Sequence, residues 1–266
     1  MADLPDTDRA DLSRAWQVLE NPGLAIRAAD YVGMPIEALV KRLPASARKA
    51  IGDATQKALG ASLEVALRTL DRRRAGAAAD WIHRGMVMAS GAAGGAVGLP
   101  GLLLELPFSL TVMFRSIADH ARAQGEDLSQ VAARLECLTV FAYGTRSRSD
   151  DSAESAYFAL RATLARAVSQ AAELVAERGI AEAVGEKGAP AIVQLLGRIA
   201  QRLGVSVTDK AAAQLLPIIG AAGGAAINTL FINHYQDTAW AHFTVRRLER
   251  LHGPEAVRIA YQRAGT

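Results

Sequence analysis

Asp80 and His83 stand three residues apart, and His234 and Asp237 repeat that interval in the second half of the chain. On a helix this spacing puts two side chains on one face. An imidazole and a carboxylate there could ligate a divalent metal. Each pair brings only two ligands, so a metal centre would need both pairs in one place. Solvated helix ends are the plainer reading, and no metal or other cofactor is expected. Glu105 poses a different problem. It lies within LLLELPF, where an unpaired carboxylate would be costly to bury. Arg115, ten residues on and beyond Pro107, could fold back to pair with it. Asn228, within AAINTLF, suits a hydrogen-bonding clamp between helices. Glu105, Arg115, Asn228, His234 and Asp237 form the candidate polar site, with no catalytic role assigned to any of them.

Several chemistries are absent as motifs. The chain has no G-x-S-x-G, no H-E-x-x-H and no G-x-x-x-x-G-K-[ST]. GAAGGAVG follows no strand pattern and so fails the context a dinucleotide loop requires. Cys137 is the one cysteine, which excludes an intramolecular disulfide and predicts a thiol packed as a small hydrophobe. The net charge of +3 permits contact with anionic lipid or nucleic acid but demands neither. Aromatics are few and no nucleic-acid module is present, so no nucleic acid is expected. Arg72–Arg74 with Arg246, Arg247 and Arg250, near Trp81, Trp240 and Phe243, could form a basic patch suited to an anionic membrane surface; ordinary solvated arginines are the alternative.

The elements that must position these residues are helices. Half the residues are hydrophobic but only 5% are aromatic, and alanine is abundant. That bias favours helix over strand, and no alternating strand pattern occurs. The expectation is an all-α, multi-helix bundle around two central glycine-rich apolar helices. Breaks are predicted at Asn21-Pro22-Gly23, Leu99-Pro100-Gly101, Gly125, Gly144 and Gly253-Pro254. Pro190 opens a helix, Thr208 could cap the next, and Pro217 should kink or restart it. Residues 1–266 read as one domain, with an N-terminal helical extension over 1–36 and a polar loop near 145–152.

GAAGGA occurs at Gly91–Ala96 and again at Gly220–Ala225. Gly91, Gly94 and Gly95, and likewise Gly220, Gly223 and Gly224, share a helical face. Each interior glycine costs about 0.8–1 kcal/mol relative to alanine, which close backbone approach can offset. The expectation is that the two copies pack on each other. Residues 85–104 and 211–233 contain no charge. About 20 apolar residues can span a bilayer, but glycine, proline, Gln214, Asn228 and Asn233 favour buried helices of a soluble bundle.

Two segments carry a resemblance: GAVGLPGLLLELPFSLTVMFRSIADHARAQGEDL and VSVTDKAAAQLLPIIGAAGGAAINTLFINHYQDTAWAHFTVRRLERLHG. The order of glycine-rich helix, Glu105 with Pro107, Arg115 and the turn Gly125-Glu126-Asp127, then Pro217, Gly220–Gly224 and Asn228, resembles the bacterial EcsC family from about residue 37 onward. That family usually has aspartate where this chain has Glu105. The resemblance implies a bacterial helical protein and a link to an ABC transporter, but no mechanism. The acidic, polar N-terminus lacks a signal-peptide pattern. The leading expectation is therefore a non-enzymatic cytoplasmic protein, peripheral to the inner membrane, binding membrane lipid or a membrane-protein partner. The alternatives are a metal-dependent hydrolase and an apolar small-molecule carrier.

Overall fold

The computed structural model describes residues 4–20, 39–69, 80–95, 98–143, 156–179, 190–213 and 220–265. The regular elements among these are all helical: α1 Asp6–Glu20, α2 Ala45–Thr69, α3 Asp80–Gly95, α4 Leu99–Ala123, α5 Val131–Tyr143, α6 Ala156–Arg178, α7 Pro190–Ala213, α8 Gly220–His252 and α9 Pro254–Ala264. The polar loop near 145–152, Pro217, Arg72–Arg74 and most of residues 1–36 beyond α1 lie outside the described residues.

α4 organises the interior. Gly98 enters it at φ +70°, with Pro100 in the first turn, where no intrahelical N–H is needed. Leu102, Leu106, Leu110, Phe114 and Ile117 then fall on the buried face. The helix ends in a glycine turn: Gly125, at φ +84°, donates to the Arg122 carbonyl, and Glu126 donates to that of Ala121, both at 2.9 Å. This pair of bonds is the Schellman arrangement, and it carries the Glu126 carboxylate back towards α8. α8 is the longest helix described, 33 residues, and stops at Gly253, with Pro254 opening α9. α5 is buried throughout from Ala133 to Tyr143, Cys137 among its residues.

The most extensive helix pairing joins α3 to α8, followed by α3 to α4 and α2 to α4. α7 bridges α2 and α6, and α1 packs on α8 and α9. One predicted boundary moves. Thr208 is not a cap, because α7 continues through it to Ala213 and its hydroxyl donates back to the Gly204 carbonyl at 2.6 Å.

Candidate functional site

Glu105 is buried on the inner face of α4, and its partner comes from α7. Lys210 Nζ lies 2.5 Å from Glu105 Oε1, with the lysine side chain 0% and the glutamate side chain 6% exposed. Lys210 occupies the last turn of α7, where a cation meets the helix's unpaired carbonyls favourably. Its ammonium also stands 5.4 Å from the centre of the Phe231 ring. Burial lowers the Lys210 pKa, opposed by the charge and hydrogen bond of Glu105. Asn228 of α8 completes the cluster, donating from Nδ2 to the Val87 carbonyl at 2.8 Å and to Glu105 Oε2 at 3.2 Å. One charged pair and one amide thus tie α3, α4, α7 and α8 together.

The first glycine motif makes room for this cluster. A methyl group at Gly91 would come within 2.5 Å of Asn228 Cγ, and one at Gly94 within 2.8 Å of Glu105 Oε2. Gly101 opposes Gly94 directly, since a methyl there would reach the Gly94 Cα at 3.0 Å. The expectation of glycine meeting glycine across the two copies is corrected for Gly91 and Gly94. α3 does pack on α8, but these glycines admit the Asn228 and Glu105 side chains and the α4 backbone. Gly223 and Gly224 are buried; the surroundings of Gly95 and Gly220 lie outside the described residues.

Arg115 does not join the site. α4 runs unbroken through Pro107, so ten residues separate the two by about 15 Å along the axis, and Arg115 is exposed where Glu105 is buried. Of the two histidine–aspartate pairs, the Asp80 side chain lies outside the described residues. His83 Nε2 faces Asp119 Oδ2 at 4.0 Å, and Asp119 accepts from Arg122 at 2.8 Å. His234 is buried against Tyr235, ring centres 5.1 Å apart, and Asp237 is half-buried. Among the described residues no three His, Cys, Asp or Glu side chains gather closely enough to hold a metal.

A second buried polar network joins α5, α6 and α8, and no reading of the sequence anticipates it. Glu136 Oε1 lies 3.3 Å from His242 Nε2 and 3.7 Å from Arg246. Tyr157 Oη is 2.8 Å from His242 Nδ1. With Nε2–H turned to the carboxylate, Nδ1 is the acceptor and Tyr157 the donor. Burial pushes the His242 pKa down to about 4, although Glu136 opposes it. Burial would raise Glu136, but the hydrogen bond and charge of His242, with Arg246 and Arg161, hold it at about 2. At the rim, Arg246 grips Glu126 through two bonds of 2.8 and 3.0 Å, and Arg250 pairs with the same carboxylate. Arg161 holds Glu249 likewise, at 2.8 and 2.6 Å. The basic patch expected from Arg246, Arg247 and Arg250 is therefore taken up by carboxylates, with Arg247 on Asp11 at 2.7 Å. Phe243 is buried and Trp240 lies under Arg14. The available signal was the one that singled out Glu105: Glu136 in LECLTVF and His242 in WAHFTV are ionisable residues inside apolar runs.

Residues 20–248 match the EcsC protein family. The chain belongs to that family. The buried members of both networks fall within the matched span, which stops short of Glu249 and Arg250 at the rim. In this EcsC-family chain α1, up to its last residue, and α9 lie outside that span and are fastened to each other and to the end of α8. His252 pairs with Asp8 at 2.7 Å, and Tyr261 donates to Glu20 at 3.2 Å. Comparison with curated proteins and with solved structures gives no match.

The remaining feature is a surface. α3 and α4 are antiparallel, with Gly94 against Gly101 at one end and His83 against Asp119 at the other. This pair exposes Trp81, Ile82, Met86 and Met88 from α3 and Leu104 and Phe108 from α4, with Trp81 77% and Leu104 83% exposed. By length and composition α4 could cross a membrane, but two-thirds of its most apolar stretch is buried inside the bundle.

Proposed function

We propose that this EcsC-family protein acts without chemistry of its own at the cytoplasmic face of the bacterial membrane, where the α3–α4 pair seats on lipid. The observation that carries this reading is the concentration of six exposed large apolar side chains on one antiparallel helix pair. Single exposed apolar residues are ordinary, but a concentration of them marks an interaction surface. Tryptophan, methionine and phenylalanine suit the boundary between headgroup and acyl chain, and Arg84 and Arg115 are exposed on the same two helices. Fully burying one such side chain is favourable by about 1.5–3 kcal/mol, so Trp81, Leu104 and Phe108 together suffice for reversible attachment. The buried Glu105–Lys210–Asn228 cluster supports the reading in a second way. It ties α3 and α4 to α7 and α8, so the surface is presented by a rigid bundle.

Flotation with vesicles containing phosphatidylglycerol tests the proposal. The protein should rise with the vesicles, and Trp81→Asp or Leu104→Asp should return most of it to the bottom fraction with the fold unchanged. Wild-type protein that stays at the bottom with both anionic and neutral vesicles rules lipid out. If it dimerises through this face instead, the partner is a second copy.

A further inference from the structure

A groove of about 360 Å³ runs between α6 and α7. Thr163, Arg166 and Gln170 of α6 stand along one side and Gln194 and Arg198 of α7 along the other, over a floor that includes Ala167. The spacings i, i+3 and i+7 on α6 and i, i+4 on α7 place these side chains on facing helix surfaces. Arg198 is anchored across the groove, donating from one terminal nitrogen to the Thr163 carbonyl at 2.9 Å. Among the described residues no carboxylate lines the walls. That sets Arg166 and Arg198 apart from Arg161, Arg246 and Arg250, each held by a glutamate.

We propose that the α6–α7 groove binds a phosphate-bearing anion. Two guanidinium groups and two side-chain amides offer donors from both walls, with no negative charge among the described lining residues. One guanidinium saturates a carboxylate through two parallel bonds, whereas a second guanidinium and the amides suit the extra oxygens and charge of a phosphate. The volume lies in the range of small-molecule sites, which favours an organic phosphate or diphosphate over a lone ion. A soluble phosphate compound and a phospholipid headgroup present the same chemistry. The groove does not rest on the α3–α4 reading, because α6 and α7 pack mainly on α5 and α2, and α3 on α4 and α8.

Titration calorimetry of the full-length protein with pyrophosphate at low salt is the test. Saturable binding at one site is expected. Arg166→Gln and Arg198→Gln should each weaken it by about tenfold or more, the loss of one charge-assisted contact, and Arg166→Gln should do so without changing the melting temperature. Arg166→Lys should restore part of the affinity, and Arg258→Gln on α9 should leave it unchanged. Vesicles of phosphatidylglycerol separate the two sources. If pyrophosphate competes for the vesicle binding that Arg166→Gln weakens, the natural ligand is a headgroup; if vesicle binding ignores both, it is soluble. Absence of saturable pyrophosphate binding, or binding that both glutamine variants leave unchanged, overturns the proposal.

Discussion

Replacing Gly91 with alanine should destabilise this protein, although the same change in an ordinary helix stabilises it. An added methyl at Gly91 would lie 2.5 Å from Asn228 Cγ and 2.6 Å from Asn228 Cβ. Ordinary carbon contacts are about 3.5–4.0 Å, so a gap of about 1 Å must open. Rotating the Asn228 side chain cannot supply it, because Cβ is fixed to the α8 backbone. α3 and α8 must therefore move apart along their most extensive contact, which also breaks an Asn228 bond to the Val87 carbonyl or Glu105. Overpacking costs about 1–3 kcal/mol and a lost hydrogen bond about 1 kcal/mol. The helix propensity gained returns up to about 1 kcal/mol. The net is a loss of about 2 kcal/mol, or about 4–8 °C in melting temperature for a chain of this size. Urea unfolding followed by circular dichroism reads it directly. Gly52→Ala is the control, since Gly52 is exposed on α2 with nothing within 4 Å of the added methyl; it should stabilise by up to about 1 kcal/mol. Combining Gly91→Ala with Asn228→Gly should cost less than the sum of the two single changes, because the clash disappears. A Gly91→Ala protein as stable as the wild type would refute the account of the glycine motif.

Lys210→Met should cost about 3–5 kcal/mol, because it strands the Glu105 carboxylate among apolar neighbours. Adding Glu105→Gln should recover a large part of that, and equal urea midpoints for Lys210→Met and wild type would contradict the buried pair. Stability should also depend on pH through His242. Its folded pKa of about 4 lies below its ordinary 6.5, so between these values the unfolded chain takes up a proton that the native imidazole refuses. Stability is then highest above pH 6.5 and falls as pH drops towards 4. Glu136, held at about 2 against an ordinary 4.5, continues the loss at lower pH. Urea unfolding between pH 7 and 4 should show the slope, and His242→Gln should flatten it; an unchanged slope in that variant would assign the effect elsewhere.

The buried residues show how far sequence reasoning reached. Glu105 stood out because a carboxylate among leucines must find a partner, and Asn228 because an amide in an apolar helix must spend its hydrogen bonds. Both inferences follow from the cost of burying polar groups and need no coordinates. The identity of the partner was beyond them. Arg115 was nearer in sequence, but a continuous helix carries it about 15 Å along the axis, while Lys210, 105 residues away, arrives through the packing of α7. Glu136 and His242 bore the same signal and went unread for want of a visible counterpart: the contact that pairs them spans more than a hundred residues.

By itself the sequence determined the all-helical class, the stops at Gly125 and Gly253-Pro254, the break before α4 and the family, because helix propensity, glycine turns and proline are local properties of a few consecutive residues. The tertiary structure alone decided which charges meet, that Gly91 and Gly94 make space for Asn228 and Glu105, and that Trp81 and Leu104 remain outside while similar residues are buried. Those outcomes depend on how the helices rotate and cross. That is set by the sum of many small packing and desolvation terms over residues far apart in the chain, which no local pattern records.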